Sequence, residues 1–310
     1  MITEKQPKFY IGLIVFAAVM LLLLFAAPPI QNSLGIYGLL LTEVIIFLWG
    51  VVPVFLLRYD IREVIPIRVP KLRQVFGVML LWVGAIITVY LVTYLTMFLF
   101  PYQMYEVSKA LGDYLTDAPF LVSLFISAVM PAVCEETLCR GFIQYTFGGI
   151  KYKWLVIGII GLLFGIFHWS PFRFIPTMLL GLALAYIMYE TRNIVLPVIF
   201  HFTNNAVTLI ISYTSSSGTA AIDPEVLISA SSMYVGVILV FCTAVPWLLI
   251  AGSRLLKAKE ENTQGSLNNK TIIVATVLSS FCFLAGTGTT VLGTGIAANG
   301  LSVLDMGYTV

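Results

Sequence analysis

The chain has 310 residues, 59% of them hydrophobic and 10% charged, with a mean hydropathy of +0.98. Soluble domains carry about 25% charged residues, so the composition excludes a soluble protein and leaves no segment able to build a soluble core of its own. A formal net charge of +2 gives no footing for nucleic-acid binding, and the expected fold class is all-α: a polytopic transmembrane helical bundle of about 8–9 spans.

A bilayer span needs about 20 apolar residues at about 1.5 Å rise each. The first run, 9–27, follows Lys5 and Lys8. It is too long for the apolar core of a signal peptide, and Pro28-Pro29 would sit poorly after a cleavage site, so an uncleaved span is expected. The second span, 36–57, contains Glu43 and leads into a basic loop with Arg58, Arg62, Arg68, Lys71 and Arg73. The third, 75–100, precedes an acidic loop over 101–118, where Glu106, Asp113 and Asp117 face only Lys109. Span four covers 119–147, and Lys151 and Lys153 follow. Span five, 154–169, ends at His168-Trp169-Ser170-Pro171; a short span six, 176–190, leads to Arg192 and Asn193. Span seven is 194–213, and the loop 214–232 holds Asp223 and Glu225 without a basic residue. Span eight is 233–253, then a polar linker 254–270, then a last apolar run over 271–297 rich in Gly and Thr.

Basic loops alternate with acidic or neutral ones. Counting Lys and Arg places the N-terminus and loops 58–74, 148–153, 190–193 and 254–270 in the cytoplasm, with 101–118 and 214–232 outside. Three regions follow: N-terminal spans over 1–118, a helical core over 119–213, and C-terminal spans over 214–310. The cysteines, Cys134, Cys139, Cys242 and Cys282, lie in apolar runs and form no C-x-x-C pair, so they read as small apolar helix residues. The two halves show no matching broken helices, which weakens a transporter of the inverted-repeat kind.

The chemistry concentrates in span four, at Cys134-Glu135-Glu136-Thr137-Leu138-Cys139-Arg140. A charge near the centre of a membrane helix costs about 2.5–3.5 kcal/mol on insertion scales, and ionisable groups there are functional by default. Glu136 and Arg140 are four apart with the carboxylate first, the favourable order for an ion pair on one face. Glu135 is turned about 100° away and is expected to face a wet cavity. Pro131, one turn earlier, is expected to kink the helix.

The only histidines in the chain are His168 and His201. Asn205 shares a helical face with His201, and Phe164 shares one with His168, where it reads as wall packing. Counted from the ends of their spans, Glu135 lies about 24 Å below the outer surface and His201 about 12 Å above the inner one. His168 counts out at about 21 Å above the inner surface, too high to meet them unless its span tilts or starts deeper.

Glu, His, His and Asn inside a membrane suit three chemistries. Glu135 could serve as general base on a water, with a histidine and Asn205 polarising a scissile carbonyl and holding its oxyanion. Glu135, His168 and His201 could instead ligate a divalent metal such as zinc, although the H-E-x-x-H pattern is absent. The same groups could also form an ion or proton path, or only fix helix packing. No aspartate lies within the first eight spans, which argues against an aspartyl membrane protease.

Glu135-Glu136-x-x-x-Arg140, Phe164-x-x-x-His168 and His201-x-x-x-Asn205, in this order on three spans, resemble the CAAX-protease and bacteriocin-processing family of intramembrane endopeptidases, also called Rce1-like or ABI. The resemblance covers about 119–210, and each motif is weak alone. It implies proteolysis at the membrane of a peptide or lipid-anchored protein, with Glu135 activating water and His168, His201 and Asn205 holding the substrate carbonyl and oxyanion. Glu136 and Arg140 are then the supporting pair. Cofactor use stays open between none and a divalent metal. Cys139 departs from the family, where an aromatic residue before the arginine is more usual.

Overall fold

A computed structural model describes residues 7–215, 234–257 and 268–305. Every regular element in that set is helical, and a 22-residue helix, α3 (Ile36–Leu57), falls on the second expected span. Before it, α1 (Phe9–Phe25) and α2 (Ala27–Leu34) form one apolar run bent by 43°. Pro28 and Pro29 sit in the first turn of α2, where a missing N–H costs nothing, so helix resumes rather than ending there. After a single helical turn at Ile61–Val64 comes α4 (Leu72–Leu99).

Segment 101–118, expected as an acidic loop, is a helix instead: α5 (Pro101–Thr116). Its buried residues, Met104 and Leu115, are eleven apart, about three turns, so one narrow apolar stripe is covered while the acidic side chains stay outside. Span four is α6, running continuously over Phe120–Thr146 with two wide π-helical stretches, Phe125–Val129 and Thr137–Ile143. Then follow α7 (Lys153–Phe167), α8 (Pro171–Thr191) and α9 (Val195–Ser215). The remaining elements are α10 (Tyr234–Cys242), bent by 44° against α11 (Val245–Leu256), and α12 (Asn269–Asp305). Loop 214–232 and linker 254–270 lie mostly outside the described residues.

Six described helices are long and apolar enough to cross a membrane, or eight if each bent pair is one span. The chain is thus an integral, multi-pass membrane protein. Span five is the exception, since α7 has only 15 residues, about 22 Å, and is too short to cross. The chain turns back at His168–Ser170, with Trp169 at φ 50°, and α8 starts at Pro171, five residues before the expected start of span six. Two close contacts lock this hairpin. A side chain at Gly181 would meet Phe164 Cβ at 2.8 Å, and one at Gly165 would meet the Phe174 carbonyl at 2.9 Å. Only glycine lets these backbones approach so nearly.

Candidate active site

The site begins with Pro131. In an α-helix its N–H would serve the carbonyl four residues back, that of Ser127, and proline has none to give. The expected kink takes the form of a π stretch directly before it, and Ser127 O accepts a hydrogen bond from Asn205 Nδ2 at 3.2 Å. Asn204 Nδ2 in turn donates to Asn205 Oδ1 at 3.2 Å. The break in the α6 ladder is therefore one of the points at which α9 attaches.

One turn on, Arg140 Nη1 donates to Glu136 Oε1 at 2.9 Å, and both side chains are completely buried. This is the pair expected from their spacing. Arg140 also donates from Nη2 to Gly181 O at 3.1 Å and lies 4.2 Å from the centre of the Phe164 ring. Such a desolvated charge is tolerable only when nearly every donor is occupied. His201 Nδ1 lies 2.9 Å from the same Glu136 Oε1. Glu136 thus joins the first motif to the third. Phe164, expected as wall packing, joins the second: its ring centre is 4.9 Å from that of His168 and 5.8 Å from that of His201. His168 Nδ1 lies 2.9 Å from Phe164 O.

Glu135 is buried, and its Oε2 has no hydrogen-bond partner among the described residues. It lies within electrostatic reach of His201, Glu136, Arg140 and Arg173. His168 is within reach of Arg173, His201 and Arg140. The three motifs therefore meet in one place. His168 lies at the tip of a hairpin, about 22 Å along α7 from Lys153, and meets the other motifs there through the Phe164 ring. The cavity of about 520 Å³ lies elsewhere, against Arg140, Gln144, Tyr145, Met188, Tyr189 and Arg192, and does not touch Glu135, His168 or His201. The wet cavity expected at Glu135 does not coincide with it.

The metal alternative is a matter of donors. Among the described residues no three His, Cys, Asp or Glu side chains are grouped so that they could hold an ion. Glu135, His168 and His201 do not fit a three-ligand centre, and no step below passes through a metal.

Two residues outside the motifs belong to this neighbourhood. Glu43, on α3, is 3% exposed, carries an unpartnered Oε2 and interacts electrostatically with Glu135 and Cys134. Its signal in the sequence is a lone carboxylate in an apolar run. Arg173 was hidden because residues 172–175 read as loop; its signal is a cation in the first turn of a helix, where the dipole favours an anion.

Fold and site together define a membrane-embedded helical bundle that carries a buried carboxylate–imidazole–amide cluster. Residues 117–207 match the family model described as Type II CAAX prenyl endopeptidase Rce1-like, which spans all three motifs and just under a third of the chain. The resemblance read from the motifs is thereby shown for this segment. No curated protein and no solved structure matches the chain.

Proposed function

We propose that the protein is an intramembrane endopeptidase that hydrolyses a peptide bond in a membrane-associated protein or peptide. The observation that carries this reading is the sharing of Glu136 Oε1 between Arg140 and His201, which draws motif one and motif three to a single point beside Phe164 and His168.

Glu135 takes a proton from water, and the water oxygen bonds to the scissile carbonyl carbon, whose π electrons move onto its oxygen. When the C–N bond breaks, Glu135 returns the proton to the departing nitrogen. Glu136 orients His201 through Nδ1, and Asn205, held by Ser127, offers its remaining N–H to the oxyanion. The site opens to the cytoplasmic half of the bilayer, and the N-terminus is cytoplasmic. The family's description names prenylated CAAX proteins; whether this chain's substrate is prenylated is an outcome of the test.

Quantitative proteomics of membrane peptides in cells carrying wild-type or Glu135→Ala protein tests the reading. A peptide pair made only by the wild type is expected. Identical profiles, together with Glu135-dependent ion uptake in proteoliposomes, would establish a transporter instead.

A further inference from the structure

Lys151 and Lys153 stand two residues apart where α7 begins, and Arg192 follows Glu190 by two residues where α8 ends. Lys153 is paired with Glu190, and its Nζ lies 4.7 Å from the ring centre of Tyr186 and 4.9 Å from that of Trp154, so its charge is taken. The same pair holds the two chain segments side by side. Lys151 and Arg192 are different. Both are exposed, and their side chains make no hydrogen bond or ion pair with any described residue, whose ion pairs are Arg140–Glu136, Lys153–Glu190 and His201–Glu136. Arg192 is also fixed in place, because its backbone closes α8 at φ 47° with its N–H on Met188 O.

These two free cations line the cavity of about 520 Å³. Small-molecule sites occupy about 300–1,000 Å³. The one carboxylate in the lining, Glu63, accepts a hydrogen bond from the Tyr145 hydroxyl at 3.2 Å. Arg140 and Gln144 form the inner wall. Arg140 has its terminal nitrogens on Glu136 and Gly181 O, and Gln144 gives Nε2 to Ala185 O at 3.0 Å. What is left over is one donor, Arg140 Nε, and one acceptor, Gln144 Oε1, both buried and without a hydrogen-bond partner among the described residues. An apolar occupant would leave both unmet at a cost. A phosphate ester that carries a hydroxyl brings an acceptor for the first and a donor for the second, and its charge suits the two cations.

The depth of the mouth says where such an ester comes from. Tyr152 and Trp154, on either side of Lys153, are exposed, as amphipathic rings are at the level of lipid headgroups. Loops 148–153 and 190–193 are among those that the count of Lys and Arg places in the cytoplasm, the side on which anionic lipids concentrate. At Gly149 an added Cβ would meet nothing within 4 Å, so the loop leaves the mouth open.

We propose that this cavity binds the headgroup of an anionic phospholipid of the cytoplasmic leaflet, with the phosphate between Lys151 and Arg192 and a headgroup hydroxyl directed inward to Gln144. The site is separate from the reaction assigned to Glu135 and stands whether or not that assignment holds.

The test uses the full chain, purified in detergent and stripped of lipid, with dioctanoyl phosphatidylglycerol, dioctanoyl phosphatidylcholine and glycerol 3-phosphate as probes and native mass spectrometry as the readout. Phosphatidylglycerol is expected to bind at least about tenfold more tightly than phosphatidylcholine. Lys151→Gln/Arg192→Asn, in which asparagine suits the left-handed backbone, should lower phosphatidylglycerol affinity about tenfold and leave the lipid-free melting temperature unchanged. Arg62→Gln/Arg68→Gln removes two exposed cations outside the lining and should change affinity by less than about threefold. A photoreactive phosphatidylglycerol locates the site on the wild type without any variant, with adducts expected in 144–156 or 188–192. Adducts found only elsewhere would overturn the proposal. So would equal affinity for the two lipids, which marks a layer of lipid held by apolar contact alone, or an equal loss in both double variants, which marks diffuse surface charge. Glycerol 3-phosphate binding as tightly as the lipid would assign the cavity to a soluble ester and overturn the lipid as its ligand.

Discussion

α6 and α12 are both apolar enough to cross a membrane, but they are placed very differently. In the most apolar window of Phe120–Thr146, 61% of residues are buried, against 11% for Asn269–Thr290. Apolarity alone therefore selects the bilayer and says little about position within the bundle. What draws α6 to the centre is its polar content: Glu136, Arg140 and Gln144 find partners in protein, in one another and in α8 and α9. The α12 helix has hydroxyls that bond mostly to its own carbonyls, with Ser279 reaching Thr243 O on the chain just before α11. It has little reason to leave lipid.

Substitutions test this contrast, beginning with the largest effect. Glu135→Ala is expected to lower cleavage by at least about 10²-fold while the purified protein keeps its thermal unfolding temperature in detergent. Glu136→Leu should destabilise by about 3–5 kcal/mol, because it leaves Arg140 buried without its partner; scanning fluorimetry measures the fall. The double variant Glu136→Leu/Arg140→Leu should recover much of that stability yet stay inactive, separating the fold's need for the pair from the site's. Gly181→Val is expected to cost about 1–3 kcal/mol and to reduce activity, since the new methyls displace Phe164 from between the histidines. On α12, Phe281→Ala removes a side chain 69% exposed and should change stability by less than about 0.5 kcal/mol with full activity. An inactive Phe281→Ala protein would break the contrast. Chelation by 1,10-phenanthroline should leave activity unchanged, as the donor arrangement around Glu135 implies.

Hydropathy located α3, α6 and α9 within a residue or two, because each is a single apolar run between charged loops. It failed where proline and polarity mimic chain breaks. Span six, expected over 176–190, starts five residues earlier with Pro176 inside α8, and the amphipathic α5 reads as loop because its apolar stripe is too narrow to register. The late start expected for span six left Arg173 outside any span. The pairing of Glu136 with Arg140 was legible because it depends on spacing along one helix. The contact of His201 with the same carboxylate was not, because it depends on how two helices pack. The bond from Asn205 to Ser127 O lies between these cases: Pro131 announces an orphaned carbonyl, but nothing in the letters says which side chain will claim it.

The two wide turns in α6 have a practical consequence. Each acts as an extra residue threaded into an otherwise ordinary coil, shifting everything downstream around the axis. Closing Phe125–Val129 into an α-helix with all its residues kept would swing the following acids and arginine by about 100° without altering one of them, whereas deleting one residue as it closes would keep their aim. A transplant of Glu135-Glu136-x-x-x-Arg140 into a straight host helix would carry the right chemistry with the wrong aim, so any graft of this centre must bring its irregular backbone along.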